Sequence, residues 1–308
     1  MATPAGAGSR GKAVVDVVLA ELRRRRVRIR VEGGALHYDA PRDALDEGFL
    51  AVLREHRAEL IDRLSHAGEA TVRLTPFTGP GDRVIFVFPA AGSGPSAFRS
   101  WRDVAPPGTE IVLVHLPGRE DRVDESPFTR AAPLADQVAK LILGYGERPF
   151  ALFGHCMGAL VGREVVRRLG DRKPAVLAAA AAPPPDAVDV EEDPSDDHLV
   201  ETLAGWGATP PELLGDRRAL SVLIEPLRAD LAVMAECRRN WSEEEKLDVP
   251  VLALAGESDD STPESTCAEW ARWTDSTFTL RTVAGGHFFP VEQPRRVLAT
   301  LAEAIVQP

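Results

Sequence analysis

The sequence predicts an α/β protein with a largely parallel sheet, preceded by a small α-β-β-α unit. From Arg83 onward, short apolar runs alternate with helical segments, as they do where parallel strands are buried on both faces. Before that point, residues 13–65 contain a helical pattern, two alternating strand patterns and a second helical pattern. We therefore expect a disordered segment at 1–12, a small domain at 13–66, a linker at 67–74 and a large domain at 75–308.

The elements of the small domain follow from the spacing of its apolar residues. Residues 13–26 place valines and leucines on one helical face and end in four arginines. Residues 27–31 and 35–38 alternate apolar and polar side chains on either side of Gly33-Gly34, which predicts a β-hairpin. An apolar stripe at helical spacing follows. The domain is near the lower size limit for an independent hydrophobic core.

The continuous apolar runs of the large domain predict its strands. They lie at Val84–Phe88, Ile111–Leu116, Phe150–Gly154, Ala175–Ala182, Val249–Ala255 and Phe278–Val283. Helical segments between several of them indicate a doubly wound or hydrolase-type sheet. Residues 186–240 interrupt this rhythm, because they are first acidic and proline-bearing and then amphipathic. We expect them to form a helical lid over the carboxyl edge of the sheet.

Charge and cysteine content narrow the functional classes. The net charge is −11, and residues 1–66 carry 12 basic and 10 acidic residues, so the acidity belongs to the remainder. An acidic large domain argues against general nucleic-acid binding. Three widely spaced cysteines predict neither a disulfide framework nor a zinc cluster. With no long apolar run and no apolar signal core, the sequence is typical of a cytoplasmic protein without a membrane partner.

The arginines at 23–26, together with Arg28 and Arg30, have two interpretations. They could bind RNA or an acidic peptide. They could equally be a solvated helix end, where cations complement the helix macrodipole.

The strongest chemical signal is Gly154-His155-Cys156-Met157-Gly158. It follows an apolar strand and precedes a helix, which is the pattern of a nucleophile elbow with cysteine in the serine position. The glycines allow a strained turn, and the helix N-terminus favours a thiolate and offers N–H groups to an oxyanion. The sequence therefore predicts an α/β-hydrolase fold with Cys156 as nucleophile.

The base and the orienting acid are expected after later strands, since hydrolases of this fold order their triad nucleophile, acid, histidine. His287 follows the last predicted strand within Gly285-Gly286-His287. Asp259 and Asp260 follow the strand before it, and we select Asp259, although either could be an ordinary turn aspartate. The small residues after the first strand of the large domain let a backbone N–H approach a carbonyl, so Ala91 and Met157 are the expected oxyanion donors.

The large domain resembles the external, or type II, thioesterases of nonribosomal peptide and polyketide synthesis over about residues 74–306. The resemblance is carried by Phe88-Pro89-Ala90-Ala91-Gly92, Leu116-Pro117-Gly118-Arg119 with Arg122, the elbow, Leu227-Arg228-Ala229-Asp230 and Gly285-Gly286-His287-Phe288. It implies a Cys156–Asp259–His287 triad acting on acyl groups carried by the phosphopantetheine of a carrier protein, with no cofactor or metal of its own. The family usually has a histidine or aromatic residue at the position of Ala90, and serine at that of Cys156.

The small domain resembles the TubC-like docking domains at the start of some synthetase subunits. The matching residues are Val31-Glu32-Gly33-Gly34, Leu36, Tyr38, Ala40-Pro41 and Glu59-Leu60-Ile61. This resemblance implies that the hairpin edge captures the C-terminal tail of an upstream synthetase by strand addition. The docking surface would then include Arg26, Arg28, Arg30, Val31, Leu36 and Tyr38, and an acidic tail would suit the arginines.

A cysteine nucleophile leaves the fate of the acyl group open. We expect hydrolytic release through an acyl-S-Cys156 intermediate. Transfer to a second carrier, or cyclising release, would use the same intermediate. A docking adaptor with an inactive hydrolase domain and a cysteine hydrolase of small free esters or lactones are further alternatives.

Overall fold

A computed structural model describes residues 15, 18–19, 21–22, 25, 27–32, 35–41, 44–65, 70–191, 194–207, 209–239 and 245–306. The chain divides into two compact units between Ala70 and Thr71. The expected disordered segment 1–12, the glycine turn at 33–34, residues 67–69 of the expected linker, and Arg26 lie outside the described residues.

The smaller unit contains the predicted hairpin and the helical segment that follows it. Its elements are β1 (Arg28–Glu32), β2 (Ala35–Asp39), α1 (Glu47–Glu55) and α2 (Arg57–Ser65). The two strands pair antiparallel, with Val31 opposite Leu36 and Ile29 opposite Tyr38. The C-terminal helical stripe is split into two helices, and Asp46 caps the first of them by accepting the Phe49 N–H at 2.7 Å.

A small apolar core holds this unit together. It consists of Val15, Val18, Leu22, Val27, Phe49, Leu53 and Leu60. Arg25, one of the arginines at 23–26, contributes to this structure through two ion pairs. It contacts Glu21 at 2.6 Å and Asp46 at 2.5 Å. Its guanidinium also lies 4.3 Å from the centre of the Phe49 ring. Arg25 therefore stabilises the fold of the smaller unit.

The larger unit is built on a seven-stranded sheet. Its strands are β3 (Arg73–Pro76), β4 (Arg83–Phe88), β5 (Thr109–His115), β6 (Phe150–His155), β7 (Leu177–Ala180), β8 (Val251–Gly256) and β9 (Phe278–Val283). Their order is β3-β5-β4-β6-β7-β8-β9, and all neighbours are parallel except β3 and β5. The predicted α/β-hydrolase fold is confirmed. Strand β3 was not predicted, since it begins inside the expected linker and is a four-residue edge strand ending in proline.

Helices cover the sheet. They are α3 (Ala131–Leu143), α4 (Met157–Val166), α5 (Asp196–Trp206), α6 (Pro211–Leu214), α7 (Arg217–Arg239), α8 (Glu264–Ala268), α9 (Phe289–Glu292) and α10 (Pro294–Val306). Short 3-10 helices lie at Pro95–Val104, Glu120–Arg122, Pro185–Ala187 and Glu269–Trp273. The segment expected to form a helical lid contains α5, α6 and α7. Within the described residues, no helix is both long and apolar enough to cross a membrane.

Candidate active site

The strand-to-helix turn between β6 and α4 presents Cys156. This residue has φ 52° and ψ −115°, a conformation that residues other than glycine rarely adopt. Its N–H donates to the Ala180 carbonyl at 2.9 Å, and its own carbonyl accepts the Ala159 N–H at 3.0 Å. Helix α4 begins at Met157, directly after the cysteine. The sulfur therefore lies at a helix N-terminus, where the macrodipole favours negative charge.

The two glycines of the elbow are required by close backbone packing. A Cβ at Gly154 would lie 2.2 Å from the Ala159 nitrogen. A Cβ at Gly158 would lie 2.3 Å from the Phe88 carbonyl oxygen. Neither neighbour is a flexible side chain that could move aside. The tight turn therefore depends on the absence of side chains at both positions.

His287 and Asp259 form the second part of the site. His287 Nδ1 lies 3.0 Å from Asp259 Oδ2, and both side chains are buried. Cys156 lies close enough to the imidazole for its sulfur to raise the pKa of His287. The structure therefore brings together the three residues that the sequence predicts as a triad.

The choice between the two adjacent aspartates is decided by burial and hydrogen bonding. Asp259 is buried, whereas Asp260 is exposed. Asp259 Oδ1 accepts the N–H groups of Ser261 and Thr262, both at 3.0 Å. These two bonds fix the carboxylate, so that Oδ2 is held toward His287.

The electrostatics of the site favour a protonated imidazole. Burial acts to lower the pKa of His287, but the hydrogen bonds to Asp259 and Cys156 and the negative charges of both partners outweigh it. The result is a pKa of about 10. His287 is therefore protonated at neutral pH, with its charge beside the Cys156 sulfur.

His155 stabilises the loop that carries His287. Its Nε2 lies 2.8 Å from the His287 carbonyl oxygen. Burial, aided by the charge of His287, lowers the pKa of His155 to about 3, so the ring is neutral and its Nε2–H donates this bond. His155 belongs to the elbow motif, but the sequence gave no sign of its bond to the loop that carries His287.

Residues 83–305 match the thioesterase domain family. The chain belongs to this family. Gramicidin S biosynthesis protein GrsT of Aneurinibacillus migulanus is 28% identical over 227 residues, covering 72% of this chain and 88% of that protein. The family match lies in the larger unit, where the elbow, the acid and the histidine are found.

Two solved structures give the same result for the thioesterase fold. RedJ, a thioesterase from the prodiginine pathway of Streptomyces coelicolor, has 31% identity and a TM-score of 0.66, covering 74% of this chain and 92% of that one. YbtT, a type II thioesterase from the yersiniabactin NRPS/PKS pathway, has 26% identity and a TM-score of 0.68, covering 75% and 97%.

Residues 15–65 of the thioesterase match the TubC N-terminal docking domain. Of the residues expected on its docking surface, Tyr38 is 44% exposed, whereas Leu36 is half-buried and packs against the small core. Val31 is half-buried and faces Leu36 across the hairpin. Arg28 and Arg30 lie in β1, and their side chains are outside the described part of the chain, as is the whole of Arg26.

The expected oxyanion donors border the elbow of the thioesterase. Met157 is the first residue of α4, and the first N–H groups of a helix have no intrahelical acceptor. Ala91 is buried in the loop after β4. Among the described residues, neither the Ala91 nor the Met157 N–H has a protein acceptor. Their use by substrate stays a prediction.

Two features near the site were missed by sequence reasoning. The indole of Trp206, at the end of α5, is stacked on the His287 ring with centroids 6.3 Å apart and an interplanar angle of 15°. Asp230 of α7 accepts the Gly92 N–H at 2.8 Å and pairs with Arg119. No sequence motif indicated that Trp206 lies at the site. Asp230 and Arg119 belonged to segments that carried the family resemblance, but their pairing was not predicted.

One group of potential metal ligands occurs in the described part of the chain. The ligand atoms of His115, Glu120 and Asp121 lie within 4.8 Å of one another. Asp121 pairs with Arg73 at 3.4 Å, and Glu120 accepts the Ser96 N–H at 2.9 Å. Because these carboxylates already have partners and a cation lies beside them, the group gives no reason to assign a metal.

Proposed function

We propose that this thioesterase releases acyl or peptidyl groups from the phosphopantetheine thioester of a carrier protein in nonribosomal peptide or polyketide synthesis. Cys156 acts as nucleophile, His287 as acid and base, and Asp259 orients the imidazole. The observation that carries the proposal is the buried Asp259–His287 hydrogen bond beside Cys156, which lies at a strand-to-helix turn. The named pathways of the relatives support the substrate class.

The first half-reaction is transthioesterification. The Cys156 thiolate attacks the thioester carbonyl, and the resulting oxyanion accepts hydrogen bonds from the Ala91 and Met157 N–H groups. Collapse of this intermediate breaks the bond to the pantetheine sulfur. The departing thiolate takes the proton from His287, which leaves an acyl-Cys156 thioester and a neutral imidazole.

The second half-reaction is hydrolysis. Acylation removes the negative charge from the Cys156 sulfur, and with it two of the interactions that raise the pKa of His287. The neutral imidazole then accepts a proton from water, whose oxygen attacks the acyl carbonyl. Collapse expels the Cys156 thiolate, releases the carboxylic acid and restores the imidazolium.

A cysteine nucleophile conserves the activation of the acyl group. An acyl-Cys156 thioester is similar in free energy to the pantetheine thioester it came from, so a second thiol or an amine could also accept the group. This makes transfer between carriers, or cyclising release, the second candidate. The observation that favours it is the N-terminal docking match, because a tether raises the effective concentration at one carrier to roughly the millimolar range.

The partner that we propose for the small domain is the C-terminal tail of an upstream synthetase subunit. The two-stranded β1–β2 sheet offers an edge to which an extended peptide can add. The arginines of β1 favour an acidic tail. The carrier protein is the second partner, and it delivers the substrate.

Intact-protein mass spectrometry tests the reaction. The enzyme is mixed with a panel of acylated and aminoacylated carrier proteins, and the mass of each protein is followed in time. We expect an acyl adduct on Cys156 that disappears as free acid forms. An adduct that moves to an added carrier or amine would instead establish transfer.

Two variants make the result specific. Cys156→Ala should form no adduct while still binding the synthetase tail, and Cys156→Ser should acylate but return less of its acyl group to an added pantetheine thiol. If wild-type enzyme neither forms an adduct nor deacylates any carrier, the protein is a docking adaptor. Equal turnover of small free esters and carrier thioesters would indicate a general ester hydrolase.

A further inference from the structure

We infer that Arg119 and Asp230 are positioning residues that set the oxyanion loop, the turn Ala90–Ser93 that carries the Ala91 N–H. They link this loop to helix α7 of the lid segment. The inference rests on the proposed function, since it assigns these residues a role in acylation of Cys156.

The ion pair is buried and bidentate. Arg119 Nη1 donates to Asp230 Oδ2 at 2.7 Å, and Nη2 donates to Asp230 Oδ1 at 2.9 Å. The exposed fractions of the two side chains are only 5% and 3%. A buried pair of charges is weak evidence for a stabilising role, because desolvation offsets much of the attraction. The hydrogen bonds that the pair makes to the oxyanion loop indicate a second role, which is to position that loop.

Both members of the pair hold the oxyanion loop. Asp230 Oδ2 accepts the Gly92 N–H at 2.8 Å, and Arg119 Nη1 donates to the Ser93 carbonyl at 3.0 Å. One N–H and one carbonyl of adjacent residues are therefore fixed by two side chains that are themselves locked together. The orientation of the Ala91–Gly92 peptide follows from these bonds.

The local turn explains why the Ala91 N–H is available. The Ser93 N–H donates to the Ala90 carbonyl at 3.0 Å, which makes Ala91 and Gly92 the two central residues of a β-turn. Gly92 has φ +71°, as a type II turn requires at its third position. In such a turn the N–H of the second residue is not used by the turn. Asp230 occupies the N–H of the third residue, so Ala91 is left as the donor.

The segment that carries Arg119 also contacts the chain just after the oxyanion loop. Glu120 Oε1 accepts the Ser96 N–H at 2.9 Å, and Glu120 itself has φ 54°. A non-glycine residue in this conformation persists only where surrounding contacts determine it. The contacts from Arg119 and Glu120 thus fix the segment from Gly92 to Ser96 at both of its ends.

A comparison of two reactions at the same sulfur tests the inference. Acylation of Cys156 by hexanoyl-N-acetylcysteamine forms an oxyanion, whereas alkylation by iodoacetamide is a direct displacement that forms none. Both need the thiolate and His287. We expect Asp230→Asn to slow acylation by about 100-fold, the usual cost of a lost oxyanion donor, and to leave the rate of alkylation unchanged.

Two further variants separate positioning from stability. Arg119→Gln combined with Asp230→Asn removes both charges and leaves no unpaired buried ion, so it keeps the test usable where a single variant folds poorly. Glu110→Gln breaks the Arg148–Glu110 pair of 2.6 Å, which does not contact the oxyanion loop, and is the matched control. The control should acylate at the wild-type rate.

The inference is overturned if the Asp230 variants acylate within twofold of wild type while wild type forms its adduct normally. It is also overturned if acylation and alkylation fall together, because the whole site would then have been lost. Absence of any wild-type adduct would sink the proposed function first, and this inference with it.

Discussion

At the residue scale, we propose that Cys156 and His287 act as one ionised pair in which each charge stabilises the other. Burial alone would keep the imidazole neutral, and it does so for the neighbouring His155. His287 differs because it contacts both the buried Asp259 carboxylate and the Cys156 sulfur. Two histidines with ring centres 5.3 Å apart are thus held in opposite protonation states, one as an imidazolium and one as a neutral donor.

This arrangement predicts how His287 titrates. In the free enzyme its pKa should be about 10. In Cys156→Ala it should be lower, because the hydrogen bond and the charge of the sulfur disappear while the opposing effect of burial remains. Nuclear magnetic resonance of the imidazole carbons and nitrogens measures both values, and His155 should stay neutral throughout. A wild-type His287 that loses its proton near neutral pH would contradict the thiolate–imidazolium pair.

At the scale of single elements, the elbow depends on contact between backbones. Gly158→Ala should destabilise the protein by about 3 kcal/mol, because the new methyl group would overlap the Phe88 carbonyl. For a unit of this size, the midpoint of thermal unfolding should fall by roughly 10 °C. Gly205→Ala, in α5, is the control, since a Cβ there has no atom within 4 Å. Equal melting temperatures for the two variants would refute the steric argument.

Helix α5 predicts a second effect through Trp206. Its indole lies nearly parallel to the His287 ring, with centroids 6.3 Å apart, and such an aromatic pair contributes about 0.5–1.5 kcal/mol. Trp206→Ala should expose the imidazole to water and shorten the lifetime of the acyl-enzyme by roughly 2- to 10-fold. Trp206→Phe should retain most of the wild-type lifetime. The decay of the adduct mass gives all three values, and an unchanged lifetime in Trp206→Ala would mean that the stacking does not limit access of water.

These elements differ in how well the sequence predicts them. Cys156 and Asp259 follow buried strands and His287 follows the edge strand β9, so strand order alone places all three at one edge of a parallel sheet. Trp206 and Asp230 come from the segment expected to form the lid, whose helices can be predicted but whose contacts with the sheet depend on packing. Strand β3 escaped prediction because a short edge strand carries too little hydrophobic pattern, and it pairs with β5 across about 40 residues.

At the scale of the whole molecule, two units with separate cores divide the work that we propose. Within its described residues, the smaller unit has an apolar core and a two-stranded sheet, and Arg25 of the arginine run takes part in ion pairs inside this unit. The larger unit carries the ionised pair, the oxyanion loop and the lid helices. We therefore propose that chemistry at Cys156 uses residues of the larger unit, and we expect the smaller unit to act on substrate delivery alone.

Truncation to residues 71–308 tests this division. The truncated enzyme should hydrolyse hexanoyl-N-acetylcysteamine at the full-length rate, since all the proposed catalytic groups remain. On a carrier that belongs to a synthetase with its C-terminal tail, it should lose at least roughly tenfold in rate at micromolar concentrations, because tethering supplies an effective concentration near the millimolar range. The same carrier without the tail is the matched control, and both enzymes should process it equally. If full-length and truncated enzymes also match on the tailed substrate, the smaller unit does not deliver this substrate and binds some other partner.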